Sequence, residues 1–289
     1  MKKVRLILLS VVAALLVSCG TTSTVPVTGR KQTLLVSDEQ VLSLSNQQYT
    51  EYMQSAKAST NSTNTAMVKR VGQRIATAVE TYLKNNGMSE ELKNYSWEFN
   101  LVQNKEVNAW CMPGGKIVVY EGILPVTQDE ASLAIVLGHE VAHAVAKHSA
   151  ERLSNAYREQ YGAAALSAIL SGVGVGEGTQ QLIALGHQLG GQLFTSGFSR
   201  KQESEADHMG LIFAAMAGYD PQVATGFWQR MASLGNSSNS LFSDHPSDET
   251  RIKQIQEWMP EALKYYTPPT TTSTKKTTAT KKKSTKKKK

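Results

Sequence analysis

Five consecutive residues, His139-Glu140-Val141-Ala142-His143, carry side chains that can bind a metal ion and transfer a proton. Each residue of an α-helix advances by about 100° around the axis, so His139 and His143 share a face and both imidazoles can reach one Zn²⁺ ion. Glu140 lies beside them, where its carboxylate can accept a proton from water at the open coordination position. The motif therefore predicts zinc-assisted hydrolysis.

The residues around this motif have the composition of a buried helix. The segment from Asp129 to Lys147 is rich in alanine, valine and leucine and has no proline. Gly138, directly before the first histidine, would let another backbone approach closely. The alternative is a core helix whose histidines bind no metal, but a glutamate buried there without a basic partner would be costly. His148 points away from both histidines on a helical wheel, and we expect it at a solvated helix end.

A catalytic zinc ion commonly has three protein ligands and water, and the third candidate is Glu203. It lies in a second predicted helix that runs from Ser199 toward Ala217. Residues at helical spacing form its inner stripe, namely Glu203, Ala206, Asp207, Gly210, Phe213 and Ala217. Glu205 lies on the opposite side and is expected to face solvent. Asp207 is placed to hydrogen-bond the far ring nitrogen of a ligand histidine and so to fix its orientation, while His208 remains an alternative ligand.

These motifs resemble those of the gluzincin peptidases, which include the CAAX prenyl proteases and the HtpX-like heat-shock proteases. The resemblance rests on HExxH followed by ExxAD, whose glutamate, Glu203, comes 60 residues after His143. Three further stretches carry it: Asn108 to Gly115, Ser199-Arg200, and His245-Pro246-Ser247 with Arg251. It implies a zincin-like metallopeptidase domain of the α+β class, predominantly helical, with a small β-sheet and an active-site helix. This sequence departs from the membrane-embedded relatives, whose several spanning helices it does not show, and we therefore expect a soluble lipoprotein branch of this family.

The resemblance also implies roles for residues outside the metal motif. The strand after Asn108 is similar to an edge strand that pairs with an extended substrate. This implies substrate binding by Asn108, Ala109, Trp110, Pro113, Gly114 and Gly115, with an ordinary hairpin as the alternative. His245 and Arg251 resemble positions near the catalytic centre, where either could stabilise an oxyanion. A His245 that only precedes a helix starting at Pro246 is also consistent with the sequence.

The N-terminal residues have the pattern of an export signal followed by a lipid anchor. Lys2, Lys3 and Arg5 precede an apolar run that ends at Val17. Residues 16–19, Leu-Val-Ser-Cys, resemble a bacterial lipobox, which implies cleavage after residue 18 and acylation of Cys19. An uncleaved membrane anchor is the alternative, but the apolar core is short for one. The residues after Cys19 lack the aspartate that favours the inner membrane, so the periplasmic face of the outer membrane is favoured.

The net charge of +7 comes from the ends of the chain. The signal contributes three cations and residues 275–289 contribute nine, so residues 19–274 carry a net charge of −5. A mildly acidic body gives no sign of the basic face expected of a nucleic-acid-binding protein, and we expect no nucleic-acid partner. The Lys- and Thr-rich tail is expected to be disordered, and contact with anionic envelope surfaces and a purely solubilising role both remain open for it. Cys111 is expected to be a buried strand thiol.

The sequence predicts four regions: a signal peptide at 1–18, a lipidated linker at 19–35, a catalytic domain at 36–266 and a disordered tail at 267–289. Within the domain, Ser37 and Gln40 form a predicted capping box, and an amphipathic helix ends at Gly87. Asp220-Pro221 begins a helix with Phe227, Trp228, Met231 and Leu234 facing inward. The glycine-rich segment 172–176 lies in an insertion that could be a lid, a cleft wall or a loose loop.

Together these features predict a lipid-anchored, zinc-dependent endopeptidase with one Zn²⁺ per chain, acting on proteins of the bacterial envelope. The resemblance implies misfolded or surplus envelope proteins as its substrates. Two alternatives stay open. One is a zinc-containing chaperone or scaffold lipoprotein that binds unfolded segments without cleaving them, and the other is a metal-dependent amidase of cell-wall peptides.

Overall fold

The computed structural model describes residues 21–170, 184–234 and 249–268. The predicted export signal, Cys19, the glycines of 172–176, His245 and the lysines of the tail lie outside them. The predicted α+β class with a predominance of helix is confirmed.

The helices and strands follow one another from an N-terminal hairpin to a C-terminal helix. In chain order they are β1 (Thr21–Thr24), β2 (Lys31–Leu34), α1 (Asp38–Ser55), α2 (Ser62–Asn85), a 3₁₀ helix (Ser89–Asn94), β3 (Glu98–Val102), β4 (Ala109–Met112), β5 (Lys116–Tyr120), a 3₁₀ turn (Glu121–Ile123), α3 (Leu124–Thr127), α4 (Glu130–Val145), α5 (His148–Leu170), α6 (Gln192–Thr195), α7 (Arg200–Met216), α8 (Val223–Ser233), α9 (Glu249–Ala262) and a 3₁₀ turn (Leu263–Tyr265). Residues 184–189 are also helical. Among the described residues, no helix combines the length and the apolar character needed to cross a membrane.

Residues 21–34 form a two-stranded hairpin where the sequence analysis expected a linker. β1 and β2 are antiparallel, with Thr21 opposite Leu34 and Thr24 opposite Lys31. Val25, in the connection between them, is fully buried, and Gln32 and Leu34 face inward from alternate positions of β2. The hairpin is therefore a packed part of the domain.

A three-stranded sheet with the order β3-β5-β4 lies beside the metal-binding helix. β3 runs parallel to β5 and β4 runs antiparallel to it. Gly114 and Gly115 make the turn between β4 and β5 with φ of +89° and +84°, a region that glycine enters without strain. β3 begins at Glu98, and the backbone N–H groups of Ser96 and Glu98 donate to the carbonyl oxygens of Gly114 and Gly115 in this turn.

α4 and α7 are the two helices that carry the predicted metal ligands, and both begin at side-chain caps. Asp129 accepts a hydrogen bond from the Ser132 N–H at the start of α4, and Ser199 with Gln202 forms a capping box at the start of α7. Ser37 and Gln40 form the predicted capping box of α1.

The backbones of α4 and α7 touch at Gly138 and Gly210. A Cβ atom on Gly138 would lie 2.6 Å from the Gly210 carbonyl oxygen, and one on Gly210 would lie 2.6 Å from the His139 nitrogen. The close approach predicted at Gly138 is confirmed. It brings the ligand histidines of α4 opposite the first turn of α7.

One inward-facing residue predicted for α8 is wrong. Phe227, Trp228 and Met231 are buried as expected, but Leu234 is 46% exposed. α8 ends at Ser233, so Leu234 is its C-cap and no longer follows the apolar face of the helix.

Candidate metal centre

Three buried side chains converge on one point between α4 and α7. The Nε2 atoms of His139 and His143 lie 3.1 Å apart. Glu203 Oε2 lies 3.5 Å from His139 Nε2, and Glu203 Oε1 lies 3.4 Å from His143 Nε2. All three residues are at most 4% exposed.

The spacing of these atoms fits a zinc ion. Tetrahedral ligands with bonds of roughly 2.0–2.2 Å lie about 3.3–3.5 Å from one another. The two histidine nitrogens lie 3.1 Å apart, and each lies 3.4 to 3.5 Å from its nearer Glu203 oxygen, close to that distance. One atom from each residue can be chosen so that all three lie within 4.8 Å of one another. Two imidazole nitrogens and a carboxylate oxygen are also donors that zinc prefers. The residues His139, His143 and Glu203 would therefore hold the ion.

Asp207 lies one turn after Glu203 and contacts the first histidine. Its Oδ1 lies 2.9 Å from His139 Nδ1, as the sequence predicted. Burial lowers the pKa of His139, although the hydrogen bond to Asp207 opposes this shift. Burial by itself would raise the pKa of Asp207, but Arg251 and the His139 hydrogen bond lower it overall. The pair is thus a neutral imidazole and an ionised carboxylate, the combination that orients a metal-binding histidine.

Arg251 reaches the site from α9 and is buried. Its Nε lies 2.6 Å from Asp207 Oδ2, and its guanidinium stands 3.5 Å from the centre of the Trp228 ring. Nη1 lies 3.6 Å from Glu203 Oε2. These contacts favour a positioning role for Arg251 at Asp207, while the predicted oxyanion role stays a prediction. His245, its partner in that prediction, lies outside the described residues.

Glu140 is buried on α4 directly after the first ligand. The thiol of Cys111 on β4 is close enough for the two groups to interact. Burial raises the pKa of Cys111 strongly, and the charge of Glu140 adds to the effect. Cys111 is therefore a protonated, buried strand thiol, as expected.

Two polar residues that the sequence placed in solvent are buried behind the second histidine. His148 is fully buried, with its Nδ1 2.9 Å from His143 Nδ1. Its Nε2 lies 3.3 Å from Oε2 of Glu205, which is 6% exposed. Burial lowers the pKa of His148. For Glu205, burial alone would raise the pKa, but hydrogen bonds from His148 and Arg30 lower it to about 2.

The helical wheel failed at His148 because α4 and α5 are separate helices. α4 ends at Val145, Lys147 has a φ of +57°, and α5 starts at His148 in a new direction. Glu205 was misplaced because the N-terminal hairpin covers the outer face of α7. His208, the alternative ligand, instead lies 2.8 Å from Glu261 and stacks on Trp258.

The predicted substrate strand lies at an edge of the three-stranded sheet. In the described part of the chain, β4 is paired on one side only, with β5. The Trp110 side chain points into the core, edge-on to Tyr49 and Tyr52, so only its backbone could contact a peptide. Gly115 packs under Trp97, where a Cβ would lie 2.5 Å from the indole. Asn108, Ala109, Pro113 and Gly114 stay predicted contacts of the substrate.

A helix that supplies two histidines and a glutamate, joined by a carboxylate from a second helix, places this chain among the zinc metallopeptidases. Within that class, the profile described as Peptidase family M48 matches residues 62–259, more than half of the chain. The chain belongs to this family, which confirms the resemblance drawn from its motifs.

Relatives of this chain include mitochondrial and bacterial proteases. It is 39% identical over 203 residues to the mitochondrial metalloendopeptidase OMA1 of Schizosaccharomyces pombe, covering 68% of this chain and 54% of that protein. It is 28% identical over 229 residues to the metalloprotease LoiP of Escherichia coli, covering 79% and 84%. It is 28% identical over 168 residues to the beta-barrel assembly-enhancing protease of Yersinia pestis, covering 55% and 34%. The chain thus spans about half the length, or less, of the mitochondrial relatives it matches.

Proposed function

We propose that this chain is a zinc-dependent endopeptidase that hydrolyses peptide bonds of bacterial envelope proteins in protein quality control. The observation that carries the proposal is the buried cage of His139, His143 and Glu203, with Glu140 on the same helix. Family membership and protease relatives that cover most of the chain support it.

The residues of the site suggest how a peptide bond would be cleaved. When bound, zinc polarises the scissile carbonyl and activates water. Glu140 takes a proton from the water while the water oxygen bonds to the carbonyl carbon. Glu140 then delivers that proton to the leaving amine as the C–N bond breaks. Asp207 holds the ring of His139 in the orientation that presents Nε2 to the metal.

The edge strand β4 suggests how the substrate is held. A peptide that pairs with its backbone is bound without a strong requirement for particular side chains. This mode suits a protease that acts on unfolded segments of many proteins. It would use the backbone of residues 108–115, beside the metal helix.

Substrates in the envelope are supported by the N-terminal sequence and by the relatives. Residues 1–18 resemble an export signal, and Cys19 lies at the end of a lipobox. One relative is named for enhancing β-barrel assembly. We place the mature chain on the periplasmic face of the outer membrane, held by acylated Cys19, with the hairpin of residues 21–34 packed on the predicted catalytic domain at 36–266. The Lys-rich tail, 267–289, would contact anionic envelope surfaces.

Cleavage of casein by the purified mature protein tests the reaction and the metal together. We expect cleavage to stop with a chelator and to return when zinc is added. Glu140→Gln should lower the cleavage rate by about 10²- to 10⁴-fold, the contribution of a general base, and leave zinc content unchanged. The control Glu257→Gln changes an exposed glutamate of α9 and should cleave normally.

The same variant separates the protease from a scaffold. A scaffold with the same fold would keep its cellular function in Glu140→Gln cells, whereas a protease would lose it. Zinc-loaded wild-type protein that leaves casein and other unfolded proteins intact would contradict the proposed activity. Cleavage of peptidoglycan peptides instead would point to the amidase.

A further inference from the structure

A continuous chain of polar contacts joins the N-terminal hairpin to the second zinc ligand. Arg30, in the hairpin, donates from Nε to both carboxylate oxygens of Glu205, at 2.6 and 2.8 Å. Glu205 contacts His148 Nε2 at 3.3 Å, and His148 Nδ1 lies 2.9 Å from His143 Nδ1. Neither His148 nor Glu205 is more than 6% exposed, so little water reaches these contacts.

When His143 binds zinc, the hydrogen atoms along this series of polar contacts can be arranged in only one way. His143 Nε2 faces the other ligands, so the proton of the ring is on Nδ1, which donates a hydrogen bond to His148. His148 Nδ1 must then be the acceptor, and its proton lies on Nε2, where Glu205 accepts it. Arg30 supplies the positive charge that keeps this buried carboxylate ionised. Each hydrogen-bond donor in the series from His143 to Arg30 therefore meets an acceptor.

Further contacts fix Arg30 and the hairpin on the body of the protein. The other two nitrogens of Arg30 donate to Glu151 of α5, at 2.5 and 2.9 Å. Thr28 donates to Glu205 at 3.2 Å, and Gln32 donates to the carbonyl oxygen of Ala146 at 2.8 Å. Arg30 thus bridges α5 and α7, the helices on either side of His143.

The two zinc-binding histidines have parallel supports. His139 donates to Asp207, which is paired with Arg251 of the C-terminal helix α9. His143 reaches Glu205 through His148, and Glu205 is paired with Arg30 of the N-terminal hairpin. Each ring is backed by a buried carboxylate and an arginine.

We propose that Arg30, Glu205 and His148 are positioning residues that orient His143 for zinc, which makes the N-terminal hairpin part of the metal centre. The inference rests on the proposed function and adds residues to its site. Outer partners of this kind contribute about 10- to 100-fold to metal affinity.

Competition for zinc with a colorimetric chelator tests the proposal on the full mature chain. We expect Arg30→Ala, Glu205→Gln and His148→Phe each to bind zinc about 10- to 100-fold more weakly. Arg30→Lys keeps the charge but loses the two-sided contact, so its affinity should fall between those of Arg30→Ala and wild type. The control Arg70→Ala removes an exposed pair with Glu130 and should leave zinc affinity unchanged.

Two further measurements separate positioning from a general loss of structure. Casein cleavage by Arg30→Ala should recover toward wild type at saturating zinc, which a damaged fold would not do. If Arg30→Ala does not fold, as judged by circular dichroism, the near-isosteric Glu205→Gln decides. Wild-type zinc affinity in Glu205→Gln and His148→Phe would overturn the proposal.

The test of the positioning residues and the test of the protease have independent outcomes. Weak zinc binding in the variants together with an inactive wild type would support the positioning role and refute the endopeptidase. An active wild type with unchanged zinc affinity in every variant would refute the positioning role and support the endopeptidase.

Discussion

Asp207 performs two tasks that no neutral side chain can combine. It accepts a hydrogen bond from His139 and neutralises the buried guanidinium of Arg251. Removing one partner of a buried ion pair leaves an uncompensated charge, which is more costly than the loss of the pair as a whole. The orientation of the first zinc ligand and the stability of the α7–α9 contact therefore depend on the same carboxylate.

We predict that Asp207→Asn weakens zinc binding by about 10- to 100-fold, because His139 loses a charged acceptor. Arg251 would also lose its nearest counter-ion and keep the longer contact with Glu203, so the free energy of unfolding should fall by about 3–5 kcal/mol. Chelator competition and urea unfolding measure the two effects. Asp220→Asn, in the loop before α8, is the matched control, and equal zinc affinities for the two variants would show that His139 needs no carboxylate.

The three metal ligands and Asp207 could be predicted from the sequence because they form two pairs, His139 with His143 on α4 and Glu203 with Asp207 on α7. Within each pair, the shared helix face follows from the spacing of the two residues. His148 and Glu205 could not be found in this way. The direction of His148 depends on the break at Lys147, and the surroundings of Glu205 depend on Arg30, 175 positions earlier in the chain.

The contact between α4 and α7 sets how far the histidines stand from Glu203. At Gly138 and Gly210 the two helices meet backbone to backbone. Two helices this close together leave no room for a side chain where they cross. Glycine has a low helix propensity, but at these two positions it lets the helices come close enough for the metal ligands to converge.

We predict that Gly210→Ala destabilises the protein even though alanine is the better helix former by about 1 kcal/mol. Its Cβ would lie 2.6 Å from the His139 nitrogen, so the helices must separate, at a cost of about 1–3 kcal/mol. Because His139 moves with the contact, zinc affinity should also fall.

Gly226→Ala in α8 is the matched control for this prediction. Its new Cβ would meet nothing nearer than an Arg230 nitrogen at 3.7 Å, so the change should be neutral or stabilising by up to about 1 kcal/mol. Urea unfolding in a chelator isolates the packing effect, and a titration with zinc gives the effect on the site. Gly210→Ala that is as stable and binds zinc as tightly as wild type would refute the role of the crossing.

Helices with a cap and an apolar face could be predicted from local sequence, as α1 and α7 show through their capping boxes. The N-terminal hairpin was missed because strands of four residues with Thr, Ser and Lys carry little periodic signal. Its stability comes from contacts with distant parts of the chain, such as the Arg30 pair with Glu151. No local pattern contains that information.

The whole chain combines a compact catalytic body with ends of different character. The described residues form two adjoining apolar cores, one around α2, α4 and α7 and one around β2, α1 and the start of α5. The net positive charge of the chain comes from the basic residues before residue 19 and after residue 274, because residues 19–274 carry a net charge of −5. The predicted targeting segment is thus separate from the catalytic residues, and the two can be tested separately.

We predict that Cys19→Ser moves the protein from the membrane fraction to the soluble fraction, because acylation requires the thiol. The catalytic body is unchanged, so the purified variant should cleave casein at the wild-type rate. Cys111→Ser is the matched control: it changes the buried thiol of β4, and the protein should remain with the membrane. Labelling with a fatty-acid analogue identifies the acylated residue, and a Cys19→Ser protein that stays in the membrane fraction would contradict the assignment.

The hairpin would also limit how far the enzyme can travel from the lipid anchor proposed at Cys19. A flexible segment from residue 19 to residue 35 could extend by roughly 50 Å, whereas a single residue separates Cys19 from the start of the hairpin at Thr21, a span of at most about 7 Å. With Cys19 in the lipid, the hairpin, and with it the metal centre that Arg30 supports, would stay close to the bilayer. Polypeptides would then be cut according to how near the membrane surface they stall, which provides a selection by place for an enzyme whose strand contacts provide little selection by sequence.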